Sequence, residues 1–184
     1  MILAILASFL TPGLDNLVLI IIAMVLGTIG GLYSAKTVQM TAMPQLVSFF
    51  NGMGGAAAAL IGLVEYADLP VDDIGKGAVL MSSLIIGSVS FSGSLIAMGK
   101  LQGVVKDIQI NKILGFAVLA IAVALAGYIL SSGVPQPMLI YVLVILSLIY
   151  GLMFVYPIGG ADMPVVISLL NSLTGVTAAT TVLR

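Results

Sequence analysis

The sequence predicts an all-α protein, a polytopic bundle of helices that each cross a lipid bilayer, and three observations carry that expectation. Charged residues are 7% of the 184 and hydrophobic ones 61%, whereas roughly a quarter of an average soluble domain is charged. Apolar runs close to the ~20 residues needed to cross about 30 Å of hydrocarbon recur along the whole length. Turn-forming clusters separate them: Thr11-Pro12-Gly13, Leu69-Pro70 with Asp72-Asp73, Val134-Pro135-Gln136-Pro137 and Gly159-Gly160-Ala161-Asp162.

Hydropathy and these breaks together give six spans, at about 16–34, 43–64, 77–99, 112–131, 138–156 and 163–183. Residues 1–10 form a further apolar stub. As a helix it would rise only about 15 Å, half a membrane. No positive stretch precedes it, as a signal peptide would require, so a severed helix is expected. Alternating the loops collects Lys36, Lys100, Lys106 and Lys112 on one side. Asp15, Glu65, Asp68, Asp72 and Asp73 fall on the other, with Lys76 and Arg184. Short loops rich in Lys and Arg stay on the cytoplasmic or matrix side, and the 157–162 loop lands there too.

Composition also excludes function classes. Cys and His are both absent. That removes disulfides, thiolate and imidazole metal sites, Cys or Ser–His nucleophiles and histidine bases. A net charge of −1 provides no basic footprint for nucleic acid.

The chain also resembles itself. Residues 43–59, MPQLVSFFNGMGGAAAA, align without a gap on 163–179, MPVVISLLNSLTGVTAA. Met43, Pro44, Ser48, Asn51, Gly55, Ala58 and Ala59 recur as Met163, Pro164, Ser168, Asn171, Gly175, Ala178 and Ala179. From Pro44 to Ala58 the matches step by four and three, so they occupy one face of a helix. Each proline suits a first turn, where no N–H is missed. Each Asn then stands about 10 Å deeper. A carboxamide at that depth must find partners or water, and the Gly and Ala below it admit a neighbouring backbone. Two roles stay open for the pair, interhelical clasp or polar pathway.

Span 77–99 adds Ser83, Gly87, Ser90 and Ser94 on one face, with Ser82, Ser88 and Ser92 nearby. A membrane serine commonly bonds back to a carbonyl one turn earlier; the full stripe, beside Gly93 and Gly99, suggests a lining or close-packing face. Gly27 and Gly31 form a GxxxG suited to packing. Glu65 reads as an interfacial carboxylate, and Asp162 favours the positive end of the helix it precedes. Lys100, at a helix end, is expected to snorkel to the interface. No acidic or basic residue falls at mid-membrane, so a pump reading lacks its usual titrating group.

These residues bring a family into view. MTAMPQLVSFFNGMGGAAA (40–58), GSVSFSGSLIAMGKLQG (87–103) and PIGGADMPVVISLLNSLTG (157–175) resemble the membrane domain of proton-translocating nicotinamide nucleotide transhydrogenase, specifically its beta subunit. The likeness covers nearly the whole chain. It implies that residues 1–184 are the proton-translocating membrane domain of an enzyme coupling hydride transfer from NADH to NADP⁺ with inward proton movement. Hydride chemistry would lie in soluble domains that bind NADH and NADP, with no cofactor held by this segment. The implied partners are lipid, the alpha subunit, a soluble NADP(H)-binding domain and a second copy of the whole enzyme, in a bacterial inner membrane. Asn51 stands where some members carry a His implicated in proton conduction, so a water wire held by amides and hydroxyls fits this chain better. Ser94 and Asn171 match other positions of the proton path. Gly159, Gly160 and Asp162 match a cytoplasmic loop implicated in coupling.

The resemblance also implies further sequence after Arg184, another helix and then the soluble domain. The repeat agrees, since its second copy has no Ser/Gly helix. No GxGxxG follows a strand pattern, so no dinucleotide fold is expected here. Two other classes remain in view: a secondary transporter built on parallel repeats, with a solute site between the Asn helices, and a purely structural membrane subunit.

Overall fold

One long helix, studded with glycine and serine, decides how its neighbours pack. The structure is a computed structural model that describes Phe9 and residues 16–66, 73–134 and 136–182. The stub at 1–10 (apart from Phe9), the turn residues 11–13, Asp15, Asp68 to Asp72, Pro135 and Arg184 lie outside the described residues. The helices are α1 Leu17–Thr37, α2 Met43–Tyr66, α3 Ile74–Leu101, α4 Lys112–Ser132, α5 Pro137–Val155 and α6 Met163–Val182. Six helices among the described residues are long and apolar enough to cross a membrane, and each expected span falls on one of them.

The chain divides into two units, Met1–Met40 and Thr41–Arg184. In the first, α1 starts at Asn16, whose φ of 65° is a left-handed conformation that Asn tolerates. Thr37 closes its last turn, the hydroxyl donating to Tyr33 O at 2.7 Å.

In the second unit α3 is the centre, packing against α2, α4, α5 and α6. Its start is fixed by Asp73, whose carboxylate accepts from Lys76 N at 2.9 Å and pairs with Lys76 Nζ at 3.1 Å. The backbone bond from Lys76, followed by its side chain, holds the Asp73 carboxyl below the usual carboxylate value. That depressed value makes the cap's contribution complete above the unfolded carboxyl's pKa and lost as pH falls through the folded one.

The α2–α3 contact is close because both partners lack side chains where they cross. A Cβ on Gly87 would stand 2.7 Å from Gly55 O and 2.8 Å from Ala59 N. One on Gly55 would stand 2.7 Å from Gly87 O. A second close approach joins α3 to α5, where a Cβ on Gly151 would lie 2.6 Å from Val89 O and collide with the Ser92 hydroxyl. Such backbone proximity is how helices adhere in lipid, where apolar contact alone gives little advantage.

Two apolar clusters fill the remaining space. One joins Met81 and Leu84 of α3 to Ala122, Ala126 and Ile129 of α4 and Ile140 and Leu143 of α5. The other joins Val89 and Ala97 to Val155 and to Met163, Val166, Ile167 and Leu170 of α6. The outside is apolar as well: Ile113, Phe116, Ile121 and Val123 of α4 and Val165 of α6 are all more than half exposed. In water such a surface would aggregate; in a bilayer it is solvated.

The repeat is visible in the backbone. A 3-10 turn at Met40–Ala42 runs directly into α2 at Met43, and one at Gly160–Asp162 runs into α6 at Met163.

Gly87→Val is expected to destabilise the folded protein by about 1–3 kcal/mol or more, because overpacking at a backbone contact cannot relax cheaply. Gly127→Val is the control, as nothing lies within 4 Å of a Cβ there. Melting of both variants in detergent or nanodiscs checks the contrast.

Candidate functional site

The crossing of α2 over α3 brings together two of the side chains singled out in the sequence. Asn51 Nδ2 donates to Ser94 Oγ at 2.9 Å. One turn earlier on α2, Ser48 Oγ donates to Ser94 O at 2.8 Å. Gly52 makes room for this, since a Cβ there would stand 3.2 Å from Ser94 Cβ. Asn51 is 6% exposed, and Ser48 and Ser94 are fully buried.

The amide is only half satisfied. Asn51 Oδ1 is buried without a hydrogen-bond partner, and so are Ser83 Oγ and Ser88 Oγ on α3. Buried polar atoms are ordinarily bonded to protein or to ordered water. From Ser83 to Ser94 the helix rises about 16 Å, half the hydrocarbon thickness. All four members of the predicted stripe, Ser83, Gly87, Ser90 and Ser94, are buried.

The serines divide by partner. Ser82 and Ser92 bond back to carbonyls of their own helix, at 2.8 and 3.1 Å. Ser90 instead reaches across to Leu170 O of α6, at a long 3.4 Å. Ser94 receives the amide of α2. The stripe is therefore both a packing face and a column of hydroxyls between helices.

Asn171 does not join that pair among the described residues. On α2 the repeated face, Ser48, Asn51, Gly55, Ala58 and Ala59, turns inward onto α3. On α6 its counterparts Ser168, Asn171, Gly175, Ala178 and Ala179 are exposed. The reason is apolar: α6 presents Val166, Ile167 and Leu170 to α3 instead. The like faces of the two Asn helices therefore do not line one shared space.

The loop residues occupy one end of the second unit. Gly159 leads into the 3-10 turn Gly160–Asp162, closed by Asp162 N donating to Gly159 O at 3.0 Å. The Asp162 side chain is exposed, at the N-terminus of α6. Beside this turn lies the clearest departure from expectation. Lys100 does not snorkel: its side chain is 1% exposed, because Asp107 and the carbonyls of Tyr156 and Ile158 surround the ammonium. Gln45, which carries no signal in the sequence, donates through Nε2 to Leu101 O at 3.1 Å and ties the start of α2 to the end of α3. For Lys100 the sequence shows the residue itself, a lysine following Gly99 in a stretch otherwise without charge, but not its burial. Its three acceptors come from elsewhere in the chain and have no signature in sequence. No group of three or more metal-binding side chains occurs among the described residues.

Fold and site thus define a multi-pass helical membrane protein with a neutral polar column at its central helix. The sequence model of the family described as NAD(P) transhydrogenase beta subunit matches residues 1–183. Two curated relatives from Rhodospirillum rubrum, one assigned to a particular strain, are both named NAD(P) transhydrogenase subunit beta. Each is 36% identical over 189 aligned residues, covering 97% of this chain and 41% of the relative. The chain belongs to the NAD(P) transhydrogenase beta subunit family. It spans about two-fifths of the length of these relatives.

Ser94→Ala is expected to cost about 1–3 kcal/mol, since it strands the Asn51 donor while leaving the Ser48 bond to the residue 94 carbonyl in place. Asn51→Leu with Ser94→Ala should cost less than the sum of the two single changes. A double-mutant cycle followed by thermal unfolding measures the coupling.

Proposed function

We propose that this chain is the proton-conducting membrane domain of a transhydrogenase that couples hydride transfer from NADH to NADP⁺ with inward proton movement. The observation carrying the reading is the Asn51–Ser94 pair, set in a buried column of hydroxyls with the Asn51 carbonyl oxygen still unpartnered, in a chain of this family. An amide and a hydroxyl each offer a donor and an acceptor, so they can hold water in line without changing charge. The proton would move along that water. Without a histidine in the chain, the column orients the wire and does not titrate.

In this reading the nucleotides bind in soluble domains of the complete enzyme, and residues 1–184 hold no hydride site. The alpha subunit and a soluble NADP(H)-binding domain are the partners, the whole enzyme pairs with a second copy, and the assembly sits in a bacterial inner membrane. The turn at Gly159, Gly160 and Asp162 is the coupling loop, on the cytoplasmic side with Lys100, Lys106 and Lys112. The bonds from Lys100 to Tyr156 O and from Ile108 N to Tyr156 O, which bring the two loops to one end, support this placement. Asn171 belongs to the path in this reading, from the exposed face of α6. A solute site between the two Asn helices gains no support, because their like faces do not meet among the described residues.

Asn51→Leu is expected to lower proton-coupled hydride transfer in the complete enzyme by an order of magnitude or more, by removing both an amide donor and an acceptor. A partial reaction confined to the soluble domains should change less than about twofold, since no proton need cross. Full coupled activity in this variant would sink the proposal. For orientation, a cysteine at Val104 should react with an impermeant maleimide from the cytoplasmic side alone. Labelling from outside intact cells would reverse the topology.

A further inference from the structure

The most deeply buried charge described in the chain takes no part in the polar column. The Lys100 ammonium donates to Asp107 Oδ1, Tyr156 O and Ile158 O, each at 2.6 Å. An ammonium has three N–H donors and no acceptor, so its hydrogen bonding is complete. A charge withdrawn from water is costly unless it is partnered, and here the partners are specific. Tyr156 O and Ile158 O lie at the C-terminal end of α5, where the helix's partial negative charge favours a cation. Asp107, with its side chain 55% exposed, belongs to the connection between α3 and α4. That connection is folded back on the same point, with Val104 N and Val105 N both donating to Gly99 O, at 2.9 and 3.1 Å.

What Lys100 grips is the segment leading directly into Gly159 and the Gly160–Asp162 turn. A Cβ on Gly159 would meet nothing within 4 Å. The nearest contact of a Cβ on Gly160 is the Lys100 carbonyl oxygen itself, at 4.0 Å. In the other direction, Lys100 and Ser94 share α3, six residues apart, or about 9 Å of helix.

We propose that Lys100 is a positioning residue that fixes the Gly159–Asp162 turn to the end of α3, so that a displacement of the turn is carried along the helix to the Ser94–Asn51 contact. The inference rests on the proposed function in taking that turn as the coupling loop. Lys100 touches neither the polar column nor a nucleotide; it acts through the backbone carbonyls it holds. A lysine that merely stabilised the bundle would affect coupled and uncoupled reactions alike.

The test uses the complete enzyme in membrane vesicles, with a reporter cysteine at the exposed turn residue Ala161. Labelling by an impermeant maleimide reports the turn. The ratio of proton-coupled turnover to the partial reaction of the soluble domains reports coupling. Lys100→Met should speed labelling about threefold or more and lower coupled turnover about tenfold, with the partial reaction within about twofold of the parent. Lys100→Arg, which keeps charge and donors, should recover roughly half of the lost coupling. Should Lys100→Met fail to accumulate, Asp107→Ala carries the test, removing one acceptor and speeding labelling by about twofold. Unchanged labelling in whichever of these two variants accumulates overturns the proposal, as does an equal loss in both reactions. Asn51→Leu separates the two ideas. If it keeps coupled turnover while Lys100→Met alters labelling, the polar path fails and the tether stands. If it loses coupled turnover while Lys100→Met changes nothing, the tether fails and the path stands.

Discussion

The polar contacts between α2 and α3 at Ser48, Asn51 and Ser94 depend on how closely the two backbones approach at Gly55 and Gly87. With a Cβ on either residue colliding with the other helix's carbonyl, any side chain there would push the helices apart. Asn51 lies one turn from Gly55, and its 2.9 Å bond to Ser94 cannot survive such a separation. The bond from Ser48 to the Ser94 carbonyl would break with it. In lipid this is an economical way to position polar groups. The apolar surroundings drive no association between helices, so close contact and interhelical hydrogen bonds must supply it. Glycine provides the contact, and the serines and Asn51 provide the bonds.

The architecture was legible in the sequence because membrane spans are set by length and hydropathy, which are local properties. Each expected span falls on an observed helix, with ends moved by a few residues. The Asn51–Ser94 pair was legible in part. The step of four and three from Pro44 to Ala58 identifies the face of α2, and the serine stripe identifies the face of α3, but nothing in either stretch says that the two faces meet. The same reasoning applied to α6 shows its limit. A repeated face implies a repeated duty, yet Val166, Ile167 and Leu170 take the inward position and leave Asn171 outside. Which face a helix buries depends on its neighbours, and those are not encoded in its own periodicity.

Lys100 illustrates the same point for charge. Near a helix end, a lysine ordinarily extends to the interface, because water solvates the ammonium at little cost. Here three acceptors replace water, two of them the carbonyls of Tyr156 and Ile158 at the end of another helix. Those groups are fifty-six and fifty-eight residues away, beyond the reach of any motif. The neutral column and the charged tether are thus kept apart on α3. Serines occupy the body of the helix, where a charge would be expensive, and its two lysines lie near the ends, Lys76 in the first turn and Lys100 where folded loops can surround it.

The central claim is that the Asn51 amide holds water within the α2–α3 crossing. It is tested most directly by solid-state NMR of the ¹⁵N-asparagine-labelled protein in lipid, with the Asn51 carboxamide assigned by its loss in Asn51→Leu. Magnetisation transfer from water to that side-chain nitrogen, under conditions where buried backbone amides of α3 show none, is the expected result. A carboxamide as isolated from water as those backbone amides would contradict the account and leave the Asn51–Ser94 bond as a clasp alone.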